Sequence, residues 1–463
     1  MKRVAFLSFD WDYEIVSEYY LGIQDHLVDR DDLQVVIFSA FGHYYASHKP
    51  DASTFEVFSL CTLEDYDGFL IQGNRTWPPE IRQQLIDKAV ELGKPVVSIN
   101  YDLTGAHSVG TNNYMEEYGL VYRVLYDTDR KKPAFVNGLK TSAEAQARAQ
   151  GYRDACARLG INDARFYQAN WQLDAGVVTA KKMLRKRDDL PDAIFCCNDD
   201  LAVGVMETLQ DAGIRVPEDV VITGFDNREI NQRVSPHITT IDRDYRTIAA
   251  TALRTIEELM DGAEVPDQVF SPAKHVLAAS CGYPAVPDSE RIHALYETNN
   301  SLRRFFEVLG RFQFAILSTE SLYAILENCE LFSREIDCPN VFLSLNERYI
   351  DPKSTSDAQT YGPISRLVAR KIRSASACDG NHVYARYETS RILPSDTPLD
   401  QPIYTICPLR YNETIIGYIV IEGVPTVMRY GFVAFVLTML SAAIENARKG
   451  MLLKQGIDDA RLP

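Results

Sequence analysis

The chain has 463 residues, 46% of them hydrophobic, enough to bury a large core and build two or three domains. With 64 acidic against 48 basic residues its formal charge is −16, which argues against direct duplex reading, since nucleic-acid binding needs a positive face that neutralises phosphates. Nine cysteines lie scattered without C-x-x-C spacing, and Cys196, Cys197 and Cys407 fall inside apolar runs, the pattern of buried reduced thiols, so no metal site is expected.

The first apolar run, Val4–Phe9, is soon followed by acids and lacks a small-residue cleavage site, so it reads as a strand and not a leader. Strand-like runs then recur at Gln34–Phe38, Gly68–Gln72, Pro95–Asn100, Pro133–Gly138, Arg165–Ala169, Ala193–Cys197, Val220–Thr223 and Ile238–Ile241. Helical patterns separate them, among them Pro79–Leu92, Ala143–Leu159 and Ala175–Lys186. Strand–helix alternation of this kind predicts an α/β fold of doubly wound parallel sheets, and its length predicts two lobes. Gly431–Ile444, the most apolar stretch, is too short to span a bilayer. These features together predict a cytoplasmic protein.

Residues 193–227, AIFCCNDDLAVGVMETLQDAGIRVPEDVVITGFDN, carry the most information. A buried strand delivers Asn198 and Asp199, a helix runs to Gly213, and a second strand delivers Gly224-Phe225-Asp226-Asn227. In parallel sheets ligands bind outside the carboxyl ends of the strands. The pattern N-D-x-x-A-x-G, then G-x-x-V-P-x-D and G-F-D-N, resembles the effector-binding core of lactose/galactose-repressor-type regulators, which share the type I periplasmic-binding-protein fold. Arg148-x-x-Gly151-Tyr152, Trp171 five residues before Gly176, and Pro236–Asp242 (PHITTID) extend the resemblance across residues 1–283. Those regulators carry a DNA-reading headpiece ahead of the first strand. Here that strand starts at the initiator Met, so the headpiece is expected to be absent.

The resemblance implies a hinged pair of lobes closing on a small polar ligand. It assigns Asn100 to the pocket from the first lobe, and Arg148, Asn198 and Asp226 from the second, with Trp171 as a flat apolar face. An arginine fork, an amide and a carboxylate suit neighbouring hydroxyls, and an indole suits the C–H face of a sugar. Asp12 and Tyr13, with Asp10 and Trp11, are expected at the rim, with Gln72 and Asn74 opposite. Each has a plainer reading. Asn198 and Asp226 could cap turns, Arg148 could be a structural ion pair, Trp171 could be core, and Trp11 and Tyr13 could be surface aromatics. The acid-rich rim favours a neutral or cationic ligand. No phosphate loop of the G-x-x-x-x-G-K-[ST] kind is present, and no cofactor is expected.

Beyond residue 283 the pattern changes. Ile292, Leu295, Asn299, Leu302, Phe306 and Leu309 keep a 3-4-3-4-3 spacing, that of a coiled-coil seam whose single Asn fixes a two-stranded register. A helix packed on its own domain would read similarly. Residues 284–312 are therefore expected to be a helical linker, 313–450 an α+β domain and 451–463 a tail. In 313–450 a strand at Asn340–Leu345, a polar loop at Asp351–Tyr361, then a helix and a strand precede a hairpin, ICPLRYNETIIGYIVIEG. With Arg391-Ile392-Leu393-Pro394 and Cys407-Pro408-Leu409, this resembles the GAF-like domain following a repressor-type sensor in some bacterial signalling proteins. Leu437, Leu440, Ile444, Ala447 and Met451 continue a heptad pattern towards the end of the chain.

The expected function is that of a dimeric small-molecule sensor in transcriptional regulation or signal transduction. The alternative is a ligand-independent scaffold, or regulatory partner of a separate output protein such as a diguanylate cyclase or histidine kinase. An enzyme would need more than the clustered carboxylates Asp199, Asp200 and Asp226, because no Ser-His, Cys-His or metal-ligand spacing accompanies them.

Overall fold

A computed structural model describes residues 1–9, 13–40, 52–72, 77–284, 288–317, 340–350, 359–372, 385–397, 399–423 and 432–454. Asp10, Trp11, Asp12 and Asn74 lie outside these residues. The chain divides into two compact units. Met1–Gly110, Tyr245–Val269 and Leu302–Pro463 form the first; Thr111–Asp244 and Phe270–Ser301 form the second.

In the first unit, β1 (Lys2–Ser8), α1 (Tyr13–Leu27), β2 (Leu33–Ser39), β3 (Gly68–Gln72), α2 (Pro79–Glu91), β4 (Val96–Ile99) and β5 (His107–Gly110) wind a parallel sheet. Its strands are buried on both faces, which is why they read as continuous apolar runs.

The second unit begins with α3 (Asn113–Thr128), β6 (Pro133–Asn137), α4 (Ala143–Arg158), β7 (Arg165–Gln168), α5 (Leu173–Leu184), β8 (Ala193–Cys196), α6 (Asp199–Asp211), β9 (Val221–Thr223) and β10 (Thr240–Asp242). Its parallel sheet has the order β7-β6-β8-β9. The strand order reverses between β6 and β8, and in open α/β sheets ligands bind outside the carboxyl ends of strands at such a point. Helix α7 (Tyr245–Met260) returns to the first unit and packs on α1. Strands β11 (Gln268–Phe270) and β12 (Lys274–Val276) follow, β12 pairing antiparallel with β10.

Helix α8 (Asp288–Leu317) buries Val308, Phe312 and Ile316, a stripe at intervals of four residues, in the first unit's core. Of the seam positions, Ile292 and Phe306 are 65% and 64% exposed. Leu302 and Leu309 are half-buried, and Asn299 is exposed. Strands β13 (Asn340–Asn346), β14 (Ile364–Ile372), β15 (Ala385–Glu388), β16 (Ile403–Tyr411) and β17 (Thr414–Glu422) lead to α9 (Phe432–Lys454).

These C-terminal strands extend the first unit's sheet. Its order is β11-β5-β4-β3-β1-β2-β16-β17-β13-β14-β15, with β16 parallel to β2 from Ile403 opposite Val35 to Ile406 opposite Phe38. The Gln34 side-chain amide locks the join, donating to the carbonyls of Leu399 at 3.1 Å and Gln401 at 2.7 Å. Both faces of the joined sheet carry a shared core. Val35 and Ile37 sit with Ile419 and Leu440 on one side, Val36 and Phe38 with Ile406 and Val420 on the other.

Two expectations need correction. The helix expected after the polar loop has no counterpart at Ile364–Ile372, which is a strand. A register shift between Leu343 and Ser344 accompanies β14, whose Leu367 and Val368 face opposite cores, so its apolar spacing mimics a helix. Residues 351–358 of that loop lie outside the described residues. Leu437, Leu440, Ile444 and Ala447 are not a free seam, because all four are buried in the unit's own core.

Helices α5 and α6 meet through two glycines. A Cβ at Gly204 would lie 2.2 Å from the Leu173 carbonyl, and one at Gly176 would lie 2.5 Å from the Leu201 carbonyl. Gly204→Ala is expected to destabilise the protein by about 1–3 kcal/mol in urea unfolding, despite alanine's better helix propensity. An unchanged midpoint would show that the helices are not in backbone contact.

Candidate functional site

The carboxyl ends of β6, β7, β8 and β9 bring together four of the residues singled out in the sequence. Arg148 rises from α4 and is 1% exposed at its side chain. Its Nε donates to Asn113 Oδ1 at 2.8 Å and its Nη1 to the Cys197 carbonyl at 2.5 Å. Nη2 lies 3.6 Å from Asp226 Oδ1. The guanidinium sits 3.5 Å from the centre of the Phe225 ring and 5.8 Å from that of Trp171, so the cation has aromatic faces as well as polar partners.

Trp171 lies past the end of β7 and is half-buried. Its indole rests on Gly138 at the end of β6, where a Cβ would come within 2.8 Å of the ring. The absence of a side chain at 138 lets the ring lie there. Asn198 caps α6: its Oδ1 accepts from Leu201 N at 3.0 Å, and its Nδ2 donates to the Trp171 carbonyl at 3.0 Å. The plain capping role is therefore present, and Asn198 also ties two strand ends together.

Asp226 is held at φ +100° and Asn227 at φ +51°, both left-handed, which turns the chain sharply after β9. Gly224 is needed just before. A Cβ there would lie 2.1 Å from Asp199 Oδ1. Asp199 itself is fully buried, accepting from Thr240 Oγ1 at 2.7 Å and Arg228 N at 2.6 Å. Burial holds its carboxyl well above the ordinary carboxylate range. Its position beneath the turn suits a structural brace.

Several members of the cluster were not foreseen. Arg243, just past β10, places Nη1 3.5 Å from Asp226 Oδ1, Nη2 2.9 Å from Glu144 Oε1 and Nε 3.1 Å from Thr111 Oγ1. Two guanidiniums thus converge on Asp226, and Glu144 supplies a second negative charge. Arg243 follows the PHITTID strand directly, a cue available in the sequence. Asn113, Thr111 and Glu144 occupy helix starts, where polar residues are common and carry no signal of their own.

Glu117 on α3 is the least expected. It is 1% exposed, and neither carboxyl oxygen has a hydrogen-bond partner among the described residues. Burial pushes the carboxyl up to about 8, with the Arg148 charge opposing the shift.

In the first unit, Asn100 sits at the end of β4 with φ +66°, and its Nδ2 donates to Tyr19 Oη. Gln72, at the end of β3, accepts from Ser8 Oγ at 2.5 Å. Tyr13 is the first residue of α1.

Residues 123–281 match the family model described as a periplasmic binding protein-like domain. This stretch is periplasmic-binding-protein-like. The match contains Arg148, Trp171, Asn198, Asp226 and Arg243. HTH-type transcriptional repressor PurR of Vibrio cholerae serotype O1 is 31% identical over 191 residues, covering 41% of this chain and 56% of that protein. The ribose operon repressor of Haemophilus influenzae is 28% identical over 173 residues, 37% of this chain and 52% of that protein. The chain therefore spans about half the length of the curated relatives it matches. A LacI family transcriptional regulator from Enterococcus faecium with bound ribose is 19% identical, covers 60% of this chain and 98% of that chain, and has a TM-score of 0.49.

Within the periplasmic-binding-protein-like domain, Asp226 is the shared counter-ion of two buried arginines. Asp226→Ala is expected to cost about 3–5 kcal/mol of stability, because it leaves the buried Arg148 without its counter-charge while Arg243 keeps Glu144. Arg148→Met in the same background should recover part of that loss in denaturant unfolding. Additive losses would mean that Arg148 and Asp226 are not coupled.

Proposed function

We propose that this chain senses a small polar ligand, a sugar, nucleoside or similar compound, in transcriptional regulation or signal transduction. The observation that carries the reading is the balanced cluster at the strand ends of a periplasmic-binding-protein-like domain. Arg148 and Arg243 oppose Asp226 and Glu144, with Trp171 beside them. A site whose charges already cancel favours a neutral ligand that hydrogen-bonds to the fork and the carboxylate, with the indole covering its apolar face. The relatives named as a transcriptional repressor and an operon repressor support the regulatory setting.

In this reading Arg148, Trp171, Asn198 and Asp226 hold the ligand from one lobe, and Asn100, Asp12 and Tyr13 reach it from the other. Lobe closure is the response, since a ligand held by both lobes favours the closed state. In the same reading the protein is non-catalytic, cytoplasmic and free of cofactors, and residues 313–450, whose strands join the first unit's sheet, act as a GAF-like transmitter. No helix among the described residues is long and apolar enough to cross a membrane.

The test is a thermal-shift screen of the full chain against monosaccharides, nucleosides and small polyols. A ligand at about 100 times its dissociation constant adds about 2.7 kcal/mol. Asp226→Asn, which preserves shape better than Ala, is expected to abolish the shift while the variant still unfolds cooperatively. A screen silent across all three classes would sink the sensor reading.

The reading also includes a homodimer through α8, whose Ile292, Tyr296 and Phe306 are exposed. Sedimentation of Ile292→Lys/Phe306→Glu should show monomer where the parent chain is dimeric, and an unchanged dimer would remove the seam. Direct duplex binding is not part of the proposal, although the name of the Vibrio relative marks that protein as HTH-type. Retention of duplex DNA by the purified chain at about 0.15 M salt would overturn that point.

A further inference from the structure

Helices α3 and α4 touch backbone to backbone. A Cβ at Gly151 would lie 2.5 Å from the Tyr114 carbonyl, 2.9 Å from Tyr118 N and 3.3 Å from Glu117 Cβ. Arg148 stands one turn before Gly151 on α4, and both are buried. Glu117 is thus sealed into the helix–helix contact beside the arginine that anchors the candidate site. A buried carboxyl with no hydrogen bond calls for an explanation, because leaving such a group unmade costs more than replacing it with an apolar one.

The charged and titratable groups around it are few. Helix α4 contributes Arg148, and β8 contributes the buried Cys196 and Cys197, whose thiols burial also pushes up. Asp199 and Asp226 stand at the next strand ends, each with partners of its own. Asp242 and Arg243 come from β10 and its end, where Arg243 is committed to Asp226 and Glu144. From β12, His275 pairs with Glu116 at 3.2 Å. Among the described residues, the cation whose charge acts on Glu117 is Arg148.

We propose that Glu117 is a positioning residue whose protonation state sets where the Arg148 guanidinium points. When the carboxyl is neutral, Arg148 keeps the arrangement described above, bound to Asn113 and Cys197 and directed at Asp226. When the carboxyl is ionised, an unpaired buried anion draws the guanidinium inward and loosens the long 3.6 Å contact to Asp226. The candidate site is then complete at neutral and mildly acidic pH and falls apart as pH rises. This rests on the sensor reading only for its biological use, because the device itself needs no ligand.

Glu117 titrates at about 8 in the folded chain against an ordinary value of 4.5, so its contribution to stability is full below the ordinary value and is lost as pH rises through about 8. Glu117→Gln keeps the shape and removes the titration. Unfolding midpoints of the parent chain should therefore fall more steeply between about pH 5 and about pH 9 than those of Glu117→Gln.

Trp171, whose ring lies 5.8 Å from the Arg148 guanidinium, reports a movement that titration of a merely buried acid would not cause. In the full chain labelled with 5-fluorotryptophan, the fluorine resonance assigned to Trp171 by its loss in Trp171→Phe is expected to titrate with a midpoint near about 8. The step should vanish in Glu117→Gln and persist in Asp199→Asn, a second buried acid of the same unit. A Trp171 resonance that stays flat through this range, or that titrates equally in Glu117→Gln, overturns the proposal. These outcomes are independent of any ligand screen, so failure here and failure of the sensor reading are told apart.

Discussion

Two guanidinium groups, Arg148 and Arg243, are taken out of water against one shared carboxylate, Asp226. Burying a cation is costly unless a counter-charge and hydrogen bonds replace its hydration. The surroundings of the site can be read as the means of meeting that condition. Asn113, Thr111 and the Cys197 carbonyl satisfy the N–H groups, Glu144 balances the second charge, and Phe225 offers its ring face to Arg148. The turn after β9 follows from the same need. Gly224 makes room for the Asp199 brace, and the left-handed residues that follow set Asp226 against its arginines.

The first unit is governed by a different constraint, the open edge of a parallel sheet. An edge strand presents a row of unpaired backbone groups that must be covered or made unattractive. Strand β2 carries the unbroken apolar run Val35–Phe38, which unpaired would leave an apolar edge; β16 pairs with it, and Gln34 clamps the incoming chain. The apolar positions of α9 then serve internal packing, beside the residues of β13, β16 and β17 in the same core.

How far the site could be read from the sequence differs residue by residue. Asn198 and Asp226 stand just past apolar runs, so period and strand geometry place them at the carboxyl ends of parallel strands. Arg243 follows the end of a strand too, but a lone arginine after a strand has many possible partners, and Glu144 and Thr111 lie 99 and 132 residues away. Glu117 could not be found at all. In Asn113-Tyr114-Met115-Glu116-Glu117-Tyr118 one acid is half-buried against His275 and its neighbour is sealed against α4. Charge usually marks the solvent face of a helix, so the pattern pointed the other way.

The sequence by itself determined most of the strand–helix alternation of residues 1–260, the doubly wound α/β character and the polar strand ends of the second unit, because a period of two or of 3.6 residues and a residue's propensity to cap or turn are local properties. Tertiary structure alone decided the pairing of β2 with β16, the clamp from Gln34 to a carbonyl 365 residues further on, the two-face burial that made β14 look helical, and the convergence of Arg148 and Arg243 on one aspartate. Each joins segments that are distant along the chain. Their affinity is set by which edges, cores and charges remain uncovered once the local elements have formed, and no local pattern records that.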